Sequence, residues 1–234
     1  MDSSFWRNKR VLVTGNTGFK GSWLTLWLKM LDANVTGFAL SPPTKINLFE
    51  LANISRDGTW VFGDVRDFDT FKKTLDQIKP EIIFHLAAQT VVQESYEDPL
   101  NTYSTNVMGT ANLLEAVRQL ALKCAIVVVT SDKCYENKEW LWGYRETDRM
   151  GGYDPYSNSK ACAELVTSTF RRSYFLNSNE DLNVNVASAR SGNVIGGGDW
   201  TKYQLIPEII SAFIEKKPAQ IRNPKAIRPW QFVL

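Results

Sequence analysis

The chain has 234 residues, 44% of them apolar and 22% charged, with a formal net charge of +2. That length holds one large domain, or a domain with part of another, and a near-neutral chain with no Lys/Arg cluster lacks the electrostatic footprint of a nucleic-acid binder. The apolar runs are strand-length and broken by polar residues, so no membrane span is expected, and the opening MDSSFWRNKRVLV lacks the apolar stretch and small-residue cleavage site of a secretory signal.

The first predicted elements lie in Lys9 to Leu31, KRVLVTGNTGFKGSWLTLWLKML. Val11 to Val13 reads as a strand, Gly15, Gly18 and Gly21 as a tight turn, and the rest as a helix. That order turns a glycine motif into a dinucleotide-binding hypothesis. Gly15 permits the turn, Gly18 lets the backbone approach a pyrophosphate, and Gly21 removes a Cβ where helix meets sheet. The helix N-terminus then offers unpaired N–H groups to phosphate. A Gly-rich turn without a ligand is the competing reading. Leu24, Trp27, Leu28 and Leu31 share one helix face, widened by Trp23, Leu26 and Met30, so the helix is predicted to be largely buried.

Val35 to Leu40 is the second predicted strand. It ends in Phe38-Ala39-Leu40-Ser41-Pro42-Pro43, without the acid that commonly holds an adenosine ribose there. Ser41 could make a weaker contact, and Lys20 or Lys45 could meet a 2′-phosphate, so NAD and NADP both stay open. Trp60 to Phe62 is a short third strand, followed by Gly63-Asp64-Val65 and by Asp67 as the N-cap of a helix over Phe68 to Ile78. Ile82 to Leu86 is continuously apolar, as in a parallel strand buried on both faces. It exits into Ala87-Ala88-Gln89, small enough for a cofactor to lie close. His85, the one histidine, reads as a core residue. A long helix follows, around Thr105-Asn106-Val107, Gly109-Thr110 and Asn112 to Ala116.

Ala125 to Thr130 is the fifth strand, ending in the polar Ser131-Asp132-Lys133, at the strand end where open α/β sheets bind ligands. After a loop with Trp140, Trp142, Tyr144 and Gly151-Gly152, Tyr156 and Lys160 open another helix, and Val184 to Ala189 is the sixth strand. Alternating strands and helices imply one parallel sheet. Cys124, Cys134 and Cys162 are odd in number and carry no metal spacing, so they read as reduced thiols, and a single histidine argues against a histidine-based metal site. No metal is expected.

Tyr156 and Lys160 lie four apart on one helix face. A phenol is a poor base at neutral pH, but a nearby ammonium favours the phenolate. The pair therefore makes a proton acceptor for an alcohol or sugar hydroxyl.

The spacing G-x-x-G-x-x-G in GNTGFKG, the segment HLAA and the run N-V-x-G-T-x-N-L-L-E-A resemble the extended branch of the short-chain dehydrogenase/reductase superfamily. Within it, GFKGSWLTLWL, TYSTNVMGT, TSDKCYENKEWLWGYRE, GGYDPYSNSKACAEL, SGNVIGGGDW and IRNPKAIRPWQ resemble the CDP-glucose 4,6-dehydratases, over nearly the whole chain. The resemblance implies an α/β, Rossmann-type doubly wound parallel sheet over residues 1–190. Residues 191–234 would be the start of a small C-terminal substrate-binding lobe, cut short here. It implies NAD as cofactor, held by Gly15, Thr17, Gly18, Phe19, Gly21, Asp64, Val65, Ala87, Ala88 and Gln89 together with Tyr156 and Lys160. Asp64 falls where the superfamily meets the adenine amino group; a plain turn cap is the other reading.

The same resemblance makes Ser131, or Thr130, the hydroxyl that holds the reacting oxygen. Asp132 becomes the acid and Lys133 the base for removing water, the latter at a position where related dehydratases carry Glu. Asn193, Trp200 and Arg228 fall where the nucleotide sugar is held, and Arg190 reads equally as structural. The implied reaction is 4,6-dehydration of CDP-glucose by internal hydride transfer from C4 to C6, as in making deoxysugars for surface polysaccharide such as O-antigen. The implied setting is cytoplasmic, in a homodimer or higher homo-oligomer, with no nucleic-acid or membrane partner. A nucleotide-sugar 4-epimerase, a dehydratase of another nucleotide-glucose and a non-catalytic cofactor sensor are the alternatives.

Overall fold

Six short runs rich in Val, Ile, Phe and Ala pair side by side in a computed structural model that describes residues 3–176 and 184–234. They are β1 (Arg10–Thr14), β2 (Asn34–Ala39), β3 (Thr59–Phe62), β4 (Ile82–His85), β5 (Cys124–Ser131) and β6 (Val184–Ser191). All five pairings are parallel, in the order β3-β2-β1-β4-β5-β6. The order reverses between β1 and β4, so a crevice opens outside their carboxyl ends, where such sheets take ligands. The expected parallel sheet is present, with strand limits within one or two residues of those read from the runs.

Helices connect the strands: α1 (Ser3–Trp6), α2 (Phe19–Met30), α3 (Leu48–Leu51), α4 (Phe68–Ile78), α5 (Val92–Glu97), α6 (Pro99–Tyr103), α7 (Gly109–Gln119), α8 (Pro155–Phe170) and α9 (Leu205–Ile214). Asp67 caps α4 by accepting from the Thr70 N–H, as expected. Alternate residues of each strand feed opposite faces. Leu12, Phe38, Ile83, Ile126 and Val128 pack with Phe71, Leu75, Leu113, Leu114 and Val117 under α4 and α7. Val11, Val13, Val35 and Ile82 pack with Leu28 of α2 on the other face.

The prediction for α2 needs correction. Its buried face is Gly21, Ser22, Thr25 and Leu28, not the large apolar stripe. Trp27 is 37% exposed and Met30 81%. A helix that must approach the β1 turn closely can present only small residues to it, and the bulky apolar residues are displaced outward. Leu24 and Trp27 instead line a groove with Val194, Phe232 and Leu234. Beyond β6, β7 (Asn193–Ile195) pairs in parallel with β8 (Trp230–Phe232), and the apolar α9 between them exposes Ile210, Phe213 and Ile214.

Candidate active site

At the end of β1 the chain turns through Gly15, at φ +71°, where a Cβ would stand 2.8 Å from the Ala87 nitrogen. A Cβ on Gly21 would stand 2.1 Å from the Gly15 carbonyl oxygen. Both positions thus exclude a side chain on steric grounds alone. Gly18 is different: its nearest neighbour would be 3.4 Å away, an ordinary contact. Gly18 is the N-cap of α2 and supplies no side-chain acceptor, so the first-turn N–H groups point outward uncapped, as an anion-binding helix end requires. Thr17 donates to the Leu40 carbonyl and Ser22 to that of Asn16, which hold the loop in shape. This cradle fits a dinucleotide pyrophosphate.

At the adenosine end Asp64 caps its own turn, accepting from the Arg66 N–H at 2.9 Å, which is the other reading of that residue. Asp64 is held by the Arg66 guanidinium, which keeps its carboxyl below the usual range and reaches on to Asn101. Val65 is buried in the main core, and its carbonyl accepts from the Asn112 amide. Lys20, read as a candidate for a 2′-phosphate, lies elsewhere: its ammonium donates to Ser191 Oγ at 3.1 Å, at the end of β6. Burial, with the Lys133 charge beside it, pushes its pKa down, against the pull of Asp132 and Asp199.

Helix α8 begins where Asp154 accepts from the Ser157 N–H and hydroxyl, with Pro155 in the first turn. That start sets Tyr156, Ser159, Lys160, Ala163 and Glu164 on the buried face. Burial pushes the Tyr156 phenol up to about 12, and a hydrogen bond with the Ser131 side chain pulls the other way. Burial, then the charge of Lys20, brings Lys160 down to about 8. Lys160 Nζ donates to the Val129 carbonyl at 3.3 Å. Thr130 gives its hydroxyl to Glu164 Oε1, and the Ser131 side chain is within hydrogen-bonding reach of Tyr156. Ser131 Oγ also donates to Asp132 at 3.1 Å and accepts from the Lys133 N–H. Asp132 and Lys133 form an ion pair at 3.9 Å.

Three residues were not singled out in the sequence for the roles they hold. Asn106 lies in a π-helical turn, Ser104–Met108, a distortion frequent at functional sites. Its amide pairs with both backbone groups of Gln89 and donates to Ser159 Oγ, tying the β4 exit to α8. Glu164 accepts from Thr130, Ser188 and Arg190, and its signal was the i, i+4, i+8 ladder with Tyr156 and Lys160. Lys20 carried a weaker signal, a cation in the first turn of the cradle helix. Arg190 is bound to Glu164 and to Tyr135.

His85 is a buried core residue, as expected. Thr14 Oγ1 accepts from the Leu86 and Ala87 N–H groups, so its own proton goes to His85 Nδ1 at 2.9 Å. Nε2 then carries the ring proton toward Thr110, which donates to the Asn106 carbonyl. Burial holds the ring neutral, its pKa pushed down to about 3.

The residues read as sugar-nucleotide contacts are less gathered. Asn193 opens β7, and its Oδ1 is buried without a partner among the described residues. Trp200 is 38% exposed, and Arg228 is exposed in the segment before β8. The loop Gly196–Gly198 sits against Phe19, Trp23 and Leu48 rather than being a loose turn.

The family model for GDP-mannose 4,6 dehydratase matches residues 12–234. The CDP-glucose 4,6-dehydratase of Salmonella typhimurium is 56% identical over 235 aligned residues, covering 100% of this chain and 66% of that protein. The UDP-glucose 4-epimerase of Thermotoga maritima, solved with UDP-glucose, superposes with a TM-score of 0.83 at 22% identity, covering 95% of this chain and 69% of that one. MoeE5, solved with UDP-glucose and NAD, gives a TM-score of 0.76 at 26% identity, covering 95% of this chain and 67% of that one. The chain spans 54% to 66% of the length of the first curated relatives it matches. The Rossmann-type sheet, the glycine cradle and the Tyr156–Lys160 pair thus coincide with a match running almost end to end: the chain belongs to the GDP-mannose 4,6 dehydratase family.

Proposed function

We propose that the protein is a hydro-lyase that converts CDP-glucose to CDP-4-keto-6-deoxyglucose with bound NAD. The observation that carries this reading is the 56% identity to a CDP-glucose 4,6-dehydratase across the whole chain, combined with an acid–base pair, Asp132 and Lys133, beside Tyr156. An epimerase needs no such pair.

The bound dinucleotide would accept hydride from C4 of the sugar and later return it to C6. Gly15, Gly18 and Gly21 admit its pyrophosphate to the α2 N-terminus. Tyr156 takes the proton of the 4-hydroxyl, while Ser131 holds the same oxygen. The Lys160 ammonium offsets the negative charge that Tyr156 carries as the phenolate before it takes that proton. The resulting 4-ketone acidifies the C5 proton. Transfer of one proton from Lys133 to Asp132 within their ion pair gives a free amine, which removes the C5 proton, and a carboxyl, which protonates the departing C6 hydroxyl, so that one water leaves. Lys133 then returns its proton to C5. Asn193, Trp200 and Arg228, in residues 191–234, are assigned to the sugar nucleotide, Arg228 to its diphosphate.

We place the enzyme in the cytoplasm, acting as a homo-oligomer. Among the described residues no helix is long and apolar enough to cross a membrane, and Leu100 and Met108 are exposed along a cleft on the outer side of α6.

The test is mass spectrometry of CDP-, UDP-, dTDP- and GDP-glucose incubated with the protein and NAD. Conversion of CDP-glucose alone to a species lighter by one water is expected. A product of unchanged mass but altered C4 stereochemistry would replace the reading with an epimerase.

A further inference from the structure

Glu164 lies one helical turn beyond Lys160 and two beyond Tyr156 on the buried face of α8. It is 4% exposed. An isolated carboxylate there would be costly, yet this one is held ionised. Burial pushes its pKa up, but hydrogen bonds from Arg190, Thr130 and Ser188 outweigh that and bring it below the usual range. Ser188 donates at 2.7 Å and Arg190 at 3.0 Å. Thr130 immediately precedes Ser131 on β5, and Arg190 immediately precedes Ser191, the acceptor of Lys20, on β6. One carboxylate therefore joins the catalytic helix to the two strand ends that carry the other polar groups of the site.

We propose that Glu164 is a positioning residue for the Tyr156–Lys160 pair: it clamps α8 to the ends of β5 and β6, and its fixed negative charge keeps Lys160 an ammonium. The proposal rests on the reading of that pair as the proton relay. The charges around Lys160 define what is at stake. Lys20 on α2 opposes the ammonium, Glu164 favours it, and His85 on β4 is neutral. Glu164 in turn faces Arg190 and Thr130, with Cys134 nearby and its thiol pushed up to about 11 chiefly by burial. With the Glu164 charge gone, the Lys160 ammonium would face the Lys20 charge unopposed. A purely structural clamp needs only the hydrogen bonds; a charge-holding one needs the carboxylate.

The experiment titrates Lys160 by lysine side-chain NMR in the intact chain, its signal identified by its absence from Lys160→Met. Glu164→Gln keeps the size and most of the hydrogen bonds and removes the charge. It should lower the Lys160 midpoint by about one pH unit or more, whereas Glu164→Asp should restore most of the original midpoint. The alkaline limb of kcat should move down with it, with little change in KM. If Glu164→Gln alone fails to fold, Glu164→Gln combined with Arg190→Gln removes both charges together and should give a smaller downward shift. A folded charge-free variant with an unmoved Lys160 midpoint would overturn the proposal. A moved midpoint in a protein that dehydrates no nucleotide-glucose would uphold the Glu164–Lys160 coupling and defeat the dehydratase reading instead.

Discussion

The Asp132 carboxylate and the Lys133 ammonium stand 3.9 Å apart in one short turn at the end of β5, their side chains 31% and 30% exposed. The proposed dehydration has this adjacent, partly exposed pair act on two neighbouring carbons of one sugar. Lys133→Met should lower dehydration by about 10²- to 10⁴-fold and abolish exchange of the C5 proton with deuterated solvent. Asp132→Asn should slow water loss by a similar factor and leave that exchange in place. Mass spectrometry of recovered substrate separates the two, and a normal rate in Lys133→Met would remove it from the mechanism.

Lys160 is a cation whose burial the fold must bear. Its pKa of about 8 lies below the ordinary 10.5. The folded protein therefore binds fewer protons than the unfolded chain between those pH values, and this group's contribution to stability rises with pH across that window. Below about pH 8 the buried ammonium costs on the order of 3 kcal/mol. Lys160→Met should thus unfold at higher urea concentration than the parent at pH 7 and lose most of that advantage by pH 10, while its dehydration falls by orders of magnitude. A destabilised Lys160→Met at pH 7 would show that its hydrogen bond to the Val129 carbonyl and the Glu164 charge outweigh its desolvation.

The fold was legible because its strands are short apolar runs, punctuated by glycines and by Asp67, and each needs only local sequence to be read. The Tyr156–Lys160 pair was legible because helical spacing alone puts both on one face. The buried face of α2 was not, because periodicity counts apolar residues and cannot know that Gly21 must lie against the Gly15 carbonyl. Lys20 was misplaced for a related reason. Its target, Ser191, is 171 residues away, and only the adjacency of α2 to the end of β6 brings them together. Asn106 and Glu164 were hidden because a polar residue in a helix reads as solvent-facing until its partners on other elements are known.

The glycines of the cradle make separable predictions. Gly21→Ala would force a Cβ to 2.1 Å from the Gly15 oxygen. The turn must shift, at about 1–3 kcal/mol or more, and both the melting temperature and NAD affinity should fall. Gly18→Ala meets nothing closer than 3.4 Å, so its melting temperature should stay near the parent's while NAD affinity drops, because the methyl group stands where the pyrophosphate approaches. Calorimetric titration beside thermal melts reads both, and an unchanged affinity in Gly18→Ala would mean that the phosphates lie elsewhere.

His85 predicts a specific acid sensitivity. Nδ1 accepts the Thr14 proton and Nε2 faces Thr110, so a second ring proton would meet a hydroxyl whose own proton already points at it. The folded pKa of about 3 lies below the ordinary 6.5. Between those values the unfolded chain binds the extra proton, so this contribution to stability is full above pH 6.5 and is lost as pH falls toward 3. The slope is about 1.4 kcal/mol per pH unit. His85→Gln should be less stable than the parent at pH 7, because the bonds to Thr14 and Thr110 are disturbed, yet its unfolding free energy should decline less steeply below pH 6. Urea unfolding at a series of pH values measures both slopes. Equal slopes would mean that His85 takes up its proton in the folded state, and that the hydrogen-bonded line from Ala87 through His85 to Asn106 yields to acid before the fold does.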